Sequence, residues 1–305
     1  MLPCRAFCAP EAFVPPQGKT LLFVGQDRDT IAYYVHATGN VPGGTMFYTS
    51  VQNMDGLDGP IDYGGGSMDG GLLLRTYPNS AVQIGLYMVD GLADTIAGNY
   101  DDNLKILAQW IKDANRPVYL RIGYEFDNPS NHYSPEQYKE AFRHVVDLLR
   151  AQGVTNAAYV WHTDCGDHAG GQWMDWYPGD DYVDWFGVSI FSTLQILTAE
   201  NFVKLARQHG KPFMICESSP WRLNTAFAKI DWLKHIFQFI KKWNIEAFCY
   251  IDCNWNAQPK WDGMEFGDAR LEKDPETKAF WLNEIADDRY LKASRDLFRS
   301  LGWGP

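Results

Sequence analysis

Residues 117–126, PVYLRIGYEF, form a largely apolar run that ends at a carboxylate, Glu125. A run rich in β-branched, aromatic and aliphatic residues is typical of a strand buried on both faces, as in a parallel sheet. Desolvating an unpaired carboxylate is costly, so an ionisable group at the end of such a strand is either paired or held for chemistry. The segment therefore predicts a parallel sheet and a candidate reactive residue at its carboxyl edge.

Seven further apolar segments occur along the chain, and amphipathic stretches separate several of them. The strand candidates are residues 20–27, 44–50, 81–90, 117–126, 156–165, 183–191, 212–219 and 245–255. The clearest helices span residues 100–115, 134–153, 198–210 and 227–243, with Ser134 and Thr198 as caps. Eight strands that alternate with helices predict an α/β fold, a (β/α)8 TIM barrel in a single domain over residues 1–305.

Two parts of the chain depart from this repeat. Residues 51–80 are rich in Gly and Asp and predict a long loop in place of a helix. Residues from about 274 follow the last strand and predict a C-terminal helical tail.

Charge and composition exclude several classes of partner. The 305 residues are 46% hydrophobic and carry a formal net charge of −11, which argues against nucleic acid or an anionic membrane as a partner. No apolar run approaches the roughly 18 residues that span a bilayer, and the N-terminus lacks a signal-peptide pattern. We expect a monomer that is secreted or periplasmic with its signal removed, with a cytoplasmic location as the alternative.

The cysteines do not form a recognisable metal motif. Cys165, Cys216, Cys249 and Cys253 fall in or just after predicted strands without a C-x-x-C pair, so we expect small buried apolar side chains. Whether Cys4 and Cys8 pair with each other stays open.

Two glutamates stand at equivalent places on different strands. Glu125 ends the fourth strand and Glu217 ends the seventh, and strand alternation places Glu217 on the same face as Phe213 and Ile215. Active sites of such barrels lie at the carboxyl ends of the strands. A pair of carboxyl groups can cleave a glycosidic bond, because one protonates the leaving oxygen while the other attacks the anomeric carbon or activates water.

Four motifs resemble glycoside hydrolase family 26, the β-mannanase family of retaining barrel glycosidases. The stretch LRIGYEFDN resembles its acid/base strand, KPFMICESS its nucleophile strand and LLFVGQD its first strand. Residues 176–191, WYPGDDYVDWFGVSIF, are similar to the passage that leads into its sixth strand. The resemblance implies a retaining, endo-acting β-glycanase that uses double displacement without a cofactor, with Glu125 as acid/base and Glu217 as nucleophile.

The departures from the family pattern concern the residues beside the sugar. Tyr124 stands where the family has a histidine before the acid/base, and Phe191 stands where an aromatic hydroxyl usually approaches the nucleophile. Either change alters the hydrogen bonds available to the sugar, so the substrate is mannan or a related β-glycan. We expect substrate contacts from Arg121, Tyr124, Trp161, His162, Phe191, Trp221 and Trp255, within a mouth that also carries Trp173, Trp176 and Trp261.

Two alternatives remain from the residues alone. The segment WHTDCGDH offers His162, Asp164, Asp167 and His168 as ligands for a divalent metal in a metal-dependent hydrolase or isomerase. A barrel that binds carbohydrate without turnover is the other alternative, and product release distinguishes it from an enzyme.

Overall fold

A computed structural model of the protein describes residues 12–166 and 168–304. Within them, eight parallel strands form a sheet that closes on itself, because each strand pairs with the next and the last pairs with the first. The strands are β1 (Thr20–Gly25), β2 (Gly44–Ser50), β3 (Ala81–Tyr87), β4 (Val118–Ile122), β5 (Ala157–Thr163), β6 (Trp185–Ile190), β7 (Phe213–Ser218) and β8 (Ala247–Ile251). The predicted (β/α)8 barrel is confirmed.

Nine α-helices accompany the strands in the described residues. They are α1 (Arg28–Thr38), α2 (Gly70–Thr76), α3 (Leu92–Ile96), α4 (Asp101–Ala114), α5 (Pro135–Ala151), α6 (Thr193–Gln208), α7 (Ala226–Trp243), α8 (Pro275–Ile285) and α9 (Leu297–Ser300). Side-chain caps begin several of them, including Ser134 before α5 and Thr225 before α7. Helices α4, α5 and α7 match the sequence prediction.

The first half of the barrel contains helices that the sequence prediction missed. Asp27 caps α1 through the backbone N–H of Asp29, and α1 buries Ile31 and Tyr34. Helix α2 lies inside residues 51–80, so the loop prediction is wrong over that turn, where the Asp69 side chain accepts from the N–H of Leu72. Both caps follow the expected chemistry, but the short apolar faces gave little periodic signal.

Helix α6 begins five residues earlier than predicted. Ser192 forms a capping box with Gln195, so the predicted cap Thr198 lies inside the helix. Helix α8 begins close to the predicted start of the tail, but a two-residue strand, Tyr290–Leu291, follows it and pairs with β1.

Aromatic side chains fill the amino-terminal end of the barrel. The rings of Phe23 and Trp185 each lie 5.3 Å from that of Tyr119 in edge-on contacts. The segment before β1 closes this end, because Tyr119 Oη donates to the carbonyl of Phe13 (2.6 Å) and Trp185 Nε1 donates to that of Ala12 (2.7 Å). The buried hydroxyl of Tyr119 and the buried indole N–H of Trp185 thus each have a hydrogen-bond acceptor.

Strand β7 contains a bulge just before its carboxyl end. Val188 of β6 is paired with Ile215, but the next residue, Ser189, is paired with Glu217, so Cys216 is an extra residue. Phe213 packs outward against Phe202 and Phe239 of the helices. The predicted alternation, with Phe213, Ile215 and Glu217 all facing inward, is therefore wrong, and the bulge turns Glu217 back to the interior.

The remaining features are quickly placed. Cys165, Cys216, Cys249 and Cys253 are buried, as predicted, while Cys4 and Cys8 lie outside the described residues. Among the described helices, none combines the length and the apolar character that crossing a bilayer would need.

Candidate active site

Glu125 lies on a tight turn three residues beyond the end of β4. Its backbone adopts a left-handed conformation (φ 52°), which is uncommon for a residue with a side chain. Asn131 Nδ2 donates to the Glu125 carbonyl (2.8 Å), and the N–H of Phe126 donates to the His162 carbonyl (3.0 Å). These bonds fix the turn and direct the Glu125 carboxyl over the barrel mouth, where it is partly exposed.

Glu217 lies at the carboxyl end of β7 and is bound by a buried arginine. Arg121 Nη1 donates to Glu217 Oε1, and the Arg121 guanidinium also lies 5.0 and 5.2 Å from the ring centres of Tyr48 and Tyr124. Burial opposes the charge on Arg121, but the Glu217 carboxylate prevails and holds the arginine pKa well above its usual value. The pair therefore places the positive charge of Arg121 directly against the Glu217 carboxyl group.

Ser189 lies next to both carboxylates. Ser189 is the register partner of Glu217 across the β6–β7 ladder, and its Oγ donates to Glu125 Oε1 (2.7 Å). Glu125 Oε2 accepts a longer bond from Asn128 Nδ2 (3.2 Å). The two carboxylates thus lie on either side of Ser189 at the barrel mouth.

The environments separate the two carboxyl groups electrostatically. Burial, followed by the negative charge of Glu217, raises the pKa of Glu125 from 4.5 to about 8. The hydrogen bonds from Ser189 and Asn128 act in the opposite direction but do not cancel these effects. At neutral pH the site holds one protonated and one arginine-bound carboxyl group, which is the division that acid-assisted nucleophilic substitution requires.

Tyrosines line one side of the mouth. The ring of Tyr124 lies 5.2 Å from that of Tyr48 and 6.4 Å from that of Tyr87, and Tyr87 stacks on Tyr63. Burial and then the charge of Glu217 raise the pKa of Tyr124 well above its usual value, so its hydroxyl stays protonated. This wall presents partly exposed aromatic faces and hydroxyl groups beside the carboxylates.

Comparisons with known proteins agree with this geometry. Residues 96–262 match the model of glycosyl hydrolase family 26, more than half of the chain. The "Beta-1,3-xylanase TXYA" of a Vibrio species is 34% identical, with 95% of this chain and 70% of the relative covered. The chain belongs to glycosyl hydrolase family 26. Its predicted enzyme class, a glycoside hydrolase, is confirmed.

One further relative supports the family assignment, and one solved structure shares the fold. A "Beta-1,3-xylanase" of an Alcaligenes species is 32% identical to this family 26 chain over 95% of its length and 68% of the relative. The structure of a GH26 beta-mannanase from Bacteroides ovatus superposes with a TM-score of 0.67 at 15% identity, covering 92% of this chain and 93% of that one. The second likeness concerns the fold alone.

Three residues predicted to touch substrate are inaccessible in this family 26 barrel. Trp161, Arg121 and His162 have no exposed surface. Trp161 points away from the barrel interior and stacks on Phe126 at 4.6 Å, because its neighbour His162 occupies the inward position of β5. Arg121 and His162 do point inward, but they lie beneath the carboxylates. The prediction of direct sugar contact is wrong for all three.

The other predicted contacts lie around the mouth. Trp221 is partly exposed and is sandwiched between Phe191 (3.9 Å) and Phe266 (4.0 Å). Trp255 is almost buried and donates from Nε1 to Ser219 Oγ (3.0 Å). Phe191 and Trp255 thus support Trp221, and contact of these residues with sugar stays a prediction. Of the additional tryptophans, Trp173 packs on Phe202 in the outer layer, while Trp176 and Trp261 are partly exposed.

Two loops of the family 26 chain meet above the end of β1. Trp261 Nε1 donates to the carbonyl of Gly64 (2.5 Å), and Lys260 Nζ donates to that of Tyr63 (3.0 Å). Burial lowers the pKa of Lys260, whereas the charges of Asp62, Glu217 and Glu125 act in the opposite direction. The contact closes one side of the mouth and brings an ammonium group near both carboxylates.

The three candidate metal ligands that the structure describes do not converge. His162 points into the barrel, whereas Asp164 pairs with His168 (3.2 Å) and accepts a backbone bond from Gly166. Asp127 binds Thr163 Oγ1 (2.6 Å) and the N–H of Asp164, and Asp167 lies outside the described residues. Across residues 12–166 and 168–304, no group of three or more potential ligands could hold a metal ion.

Sequence reasoning missed the side chains that organise the site. Ser189 sits in the apolar run WFGVSI and gave no signal of its own. Tyr48 lies within β2, Tyr87 ends β3 and Tyr63 lies in the segment between these strands, but none of them was singled out from the sequence. Listing hydroxyl-bearing residues at every strand end would have found Tyr87 and Ser189, since both lie within the last two residues of a strand.

Proposed function

We propose that the protein is a retaining endo-β-glycanase that cleaves β-1,3-xylan, with Glu125 as acid/base and Glu217 as nucleophile. The observation that carries the proposal is the pair of carboxyl groups flanking Ser189. One is bound by Arg121, and the pKa of the other is raised to about 8. Family membership supplies the reaction type, glycoside hydrolysis.

In the first half of the reaction, Glu125 gives its proton to the glycosidic oxygen. Because the pKa of Glu125 is about 8, it enters the reaction protonated at neutral pH. A Glu217 oxygen attacks the anomeric carbon as the bond to the leaving oxygen breaks, and a glycosyl ester forms. Arg121 binds Glu217 Oε1 and restricts the rotation of the carboxyl group before attack.

In the second half, Glu125 acts as the base. Esterification removes the negative charge of Glu217, which is one of the two main causes of the raised Glu125 pKa. The pKa of Glu125 therefore falls, and its carboxylate takes a proton from the water that attacks the anomeric carbon. Glu217 leaves as a carboxylate, and two inversions give net retention.

The choice of β-1,3-xylan has two supports. The two curated relatives that cover most of the chain are both named beta-1,3-xylanases. Tyr124 and Phe191 replace the histidine and the aromatic hydroxyl of the β-mannanase pattern, and Phe191 is packed against Trp221 so that it offers only an apolar surface. A xylose ring has no hydroxymethyl group, and an apolar neighbour there leaves no buried polar atom without a partner.

The test is a substrate panel with analysis of the first product. Purified protein is incubated with β-1,3-xylan, β-1,4-xylan, β-1,4-mannan and mixed-linkage glucan, and NMR follows the anomeric protons. We expect mixed-length oligosaccharides from β-1,3-xylan, with the β-anomer appearing first. An α-anomer would overturn the retaining mechanism, and faster cleavage of mannan would overturn the substrate assignment.

Two controls address the alternative functions. We expect activity to survive exhaustive chelation, since carboxylates carry out both proton transfer and attack. Loss of activity that zinc or manganese restores would instead support the metal-dependent alternative. Calorimetric binding of β-1,3-xylan oligosaccharides without product release would identify a non-catalytic sugar-binding barrel.

A further inference from the structure

A chain of buried hydrogen bonds connects the two carboxylates beneath the mouth. Arg121 Nη1, which binds Glu217, also lies 3.4 Å from His162 Nδ1. His162 Nε2 lies 3.0 Å from Ser189 Oγ, and Ser189 Oγ lies 2.7 Å from Glu125 Oε1. Arg121, His162 and Ser189 are all fully buried.

The chemistry of the donors fixes the direction of this chain. Burial and the neighbouring Arg121 charge hold the pKa of His162 well below its usual value, so the ring is neutral. Arginine can only donate, so Nδ1 accepts from Arg121 and the ring hydrogen resides on Nε2. Nε2–H then donates to Ser189 Oγ, which leaves the serine hydrogen for Glu125 Oε1.

We propose that His162 and Ser189 are positioning residues that orient Glu125 for proton transfer and connect it to the arginine that binds Glu217. The inference rests on the proposed function and goes beyond it, because neither residue touches the sugar. Since Oε1 accepts the short serine bond, the acidic proton resides on Oε2, the oxygen with the longer bond to Asn128. The chain therefore selects the oxygen that delivers the proton.

The shared arginine gives the chain a second effect. In the free enzyme, the Glu217 carboxylate offsets the Arg121 charge. When Glu217 becomes an ester, that charge is no longer offset, and it polarises the donors His162 and Ser189 in the direction of Glu125. A more strongly polarised donor stabilises the Glu125 carboxylate at the step in which it must act as a base.

The test measures the titration of Glu125 directly. Protein labelled with ¹³C at glutamate side chains is titrated by NMR, and Glu125→Gln assigns the Glu125 signal. We expect a midpoint of about 8 in the wild type. In Ser189→Ala we expect a midpoint higher by about one pH unit, because a hydrogen bond to the charged form is lost.

The same variant is examined in turnover. We expect the alkaline limb of the kcat/KM profile of Ser189→Ala to move upward by the same amount as the NMR midpoint, and kcat/KM at the optimum to fall about tenfold. Other titratable groups that face Glu125 remain in place in every variant, so the shift reports the missing hydroxyl. They are Glu217, Asp164, Tyr124, Tyr133 and Lys260.

Ser80→Ala is the matched control. Ser80, which immediately precedes β3, is also a buried serine whose Oγ donates a 2.7 Å bond, but its acceptor is the carbonyl of Pro42. We expect its NMR midpoint and pH profile to equal those of the wild type. A similar shift in Ser80→Ala would show that loss of any buried hydroxyl has this effect, and would overturn the proposal.

His162→Phe tests whether the chain acts as a unit. Loss of the His162 imidazole leaves the Ser189 hydroxyl in place, so we expect the Glu125 midpoint to rise by less than it does in Ser189→Ala. The double variant with Ser189→Ala should show no more than the Ser189→Ala shift, because both changes interrupt one chain. Additive shifts would overturn the connection, and an unchanged or lowered midpoint in Ser189→Ala would overturn the positioning role.

The outcomes separate this inference from the proposed function. If the wild type releases no sugar from any β-glycan, the proposed function is wrong. The hydrogen-bond chain then has no glycoside cleavage to assist, and this inference is wrong as well. If the wild type turns over with an alkaline limb that Ser189→Ala leaves in place, the proposed function stands and the positioning role fails.

Discussion

The closed end and the open end of the barrel are built from the same strands but differ in what burial does to them. Strand β4 carries Tyr119 at the closed end and Arg121 beneath the mouth, and β6 carries Trp185 and Ser189 in the same order. At the closed end, aromatic edges meet and each polar atom has a backbone acceptor. At the open end, burial leaves a carboxyl group with a pKa raised to about 8. We infer that packing at the closed end stabilises the fold, whereas the buried carboxyl group at the open end lowers stability and serves reactivity.

The sharpest way to test this division is to remove the proposed nucleophile. Glu217→Gln keeps an oxygen for Arg121 but cannot form a stable glycosyl ester, so we expect turnover to fall by at least about 10⁴-fold on every substrate. The measurement is kcat/KM on β-1,3-xylan and on an activated aryl xyloside. A residual rate that depends on the leaving group would argue that Glu217 is not the nucleophile.

The proposed acid/base should respond differently. Glu125→Ala should cost about 10² to 10⁴ in rate on the polysaccharide and much less on an aryl glycoside whose leaving group needs no protonation. Added azide should restore turnover of the aryl glycoside and give the β-glycosyl azide, since the covalent intermediate still forms. Formation of the α-glycosyl azide would instead indicate that Glu125 is the nucleophile and Glu217 the acid/base.

At the closed end, a truncation should act on stability alone. Trp185→Ala removes a fully buried side chain from the aromatic plug and should lower the free energy of unfolding by about 3–5 kcal/mol. Below the melting transition, kcat should stay within about twofold of the wild type because no catalytic contact changes. Denaturant unfolding and kinetics on the same sample check both statements. Tyr119→Phe, which removes only the bond to Phe13, should cost about 1 kcal/mol.

A smaller effect is expected from the tyrosine wall. Tyr124→Phe keeps the ring that packs on Tyr48 and the Arg121 guanidinium, so stability should change little. Loss of a hydroxyl that contacts the sugar should reduce kcat/KM about tenfold. Kinetics identical to the wild type on the true substrate would place Tyr124 outside the substrate contacts.

The smallest effect concerns the stability that the open end gives up. Folding raises the pKa of Glu125 from 4.5 to about 8, so the unfolded chain loses this proton first as the pH rises. The stabilisation linked to Glu125 is full below about pH 4.5 and is lost as the pH passes 8. Glu125→Gln cannot ionise, so its melting temperature relative to the wild type should rise with pH by several degrees. A difference that is constant across this range would contradict the raised pKa.

Much of the scaffold could be predicted because a strand buried on both faces consists of consecutive apolar residues, which the sequence shows directly. All eight strands were found as apolar runs, and α5 was found from its Ser134 cap and amphipathic face. Helix α1 was missed although Asp27 caps it, because the strand candidate was extended through residue 27. Boundaries failed where a polar residue could end one element or begin the next.

Less of the site could be predicted because it depends on contacts between distant strands. Both glutamates could be selected, since a carboxylate at the end of an apolar strand is conspicuous. Trp161 was misassigned because a tryptophan at a strand end has the same local pattern whether it faces the mouth or the helices. Ser189 was invisible because its importance comes from Glu125 and His162, which lie 64 and 27 residues away in sequence.

The bulge at Cys216 has a consequence for anyone who redesigns this barrel. A designer who regularises β7 to an ideal two-residue repeat, by pairing Cys216 with Ser189, would keep every residue and would expect a sturdier sheet. Without the bulge, the Glu217 side chain would face the same side as Ile215 and turn toward the helices, away from Arg121. We expect an intact fold in which one changed backbone pairing turns the proposed nucleophile away from the barrel mouth while every side chain of the proposed site is still encoded.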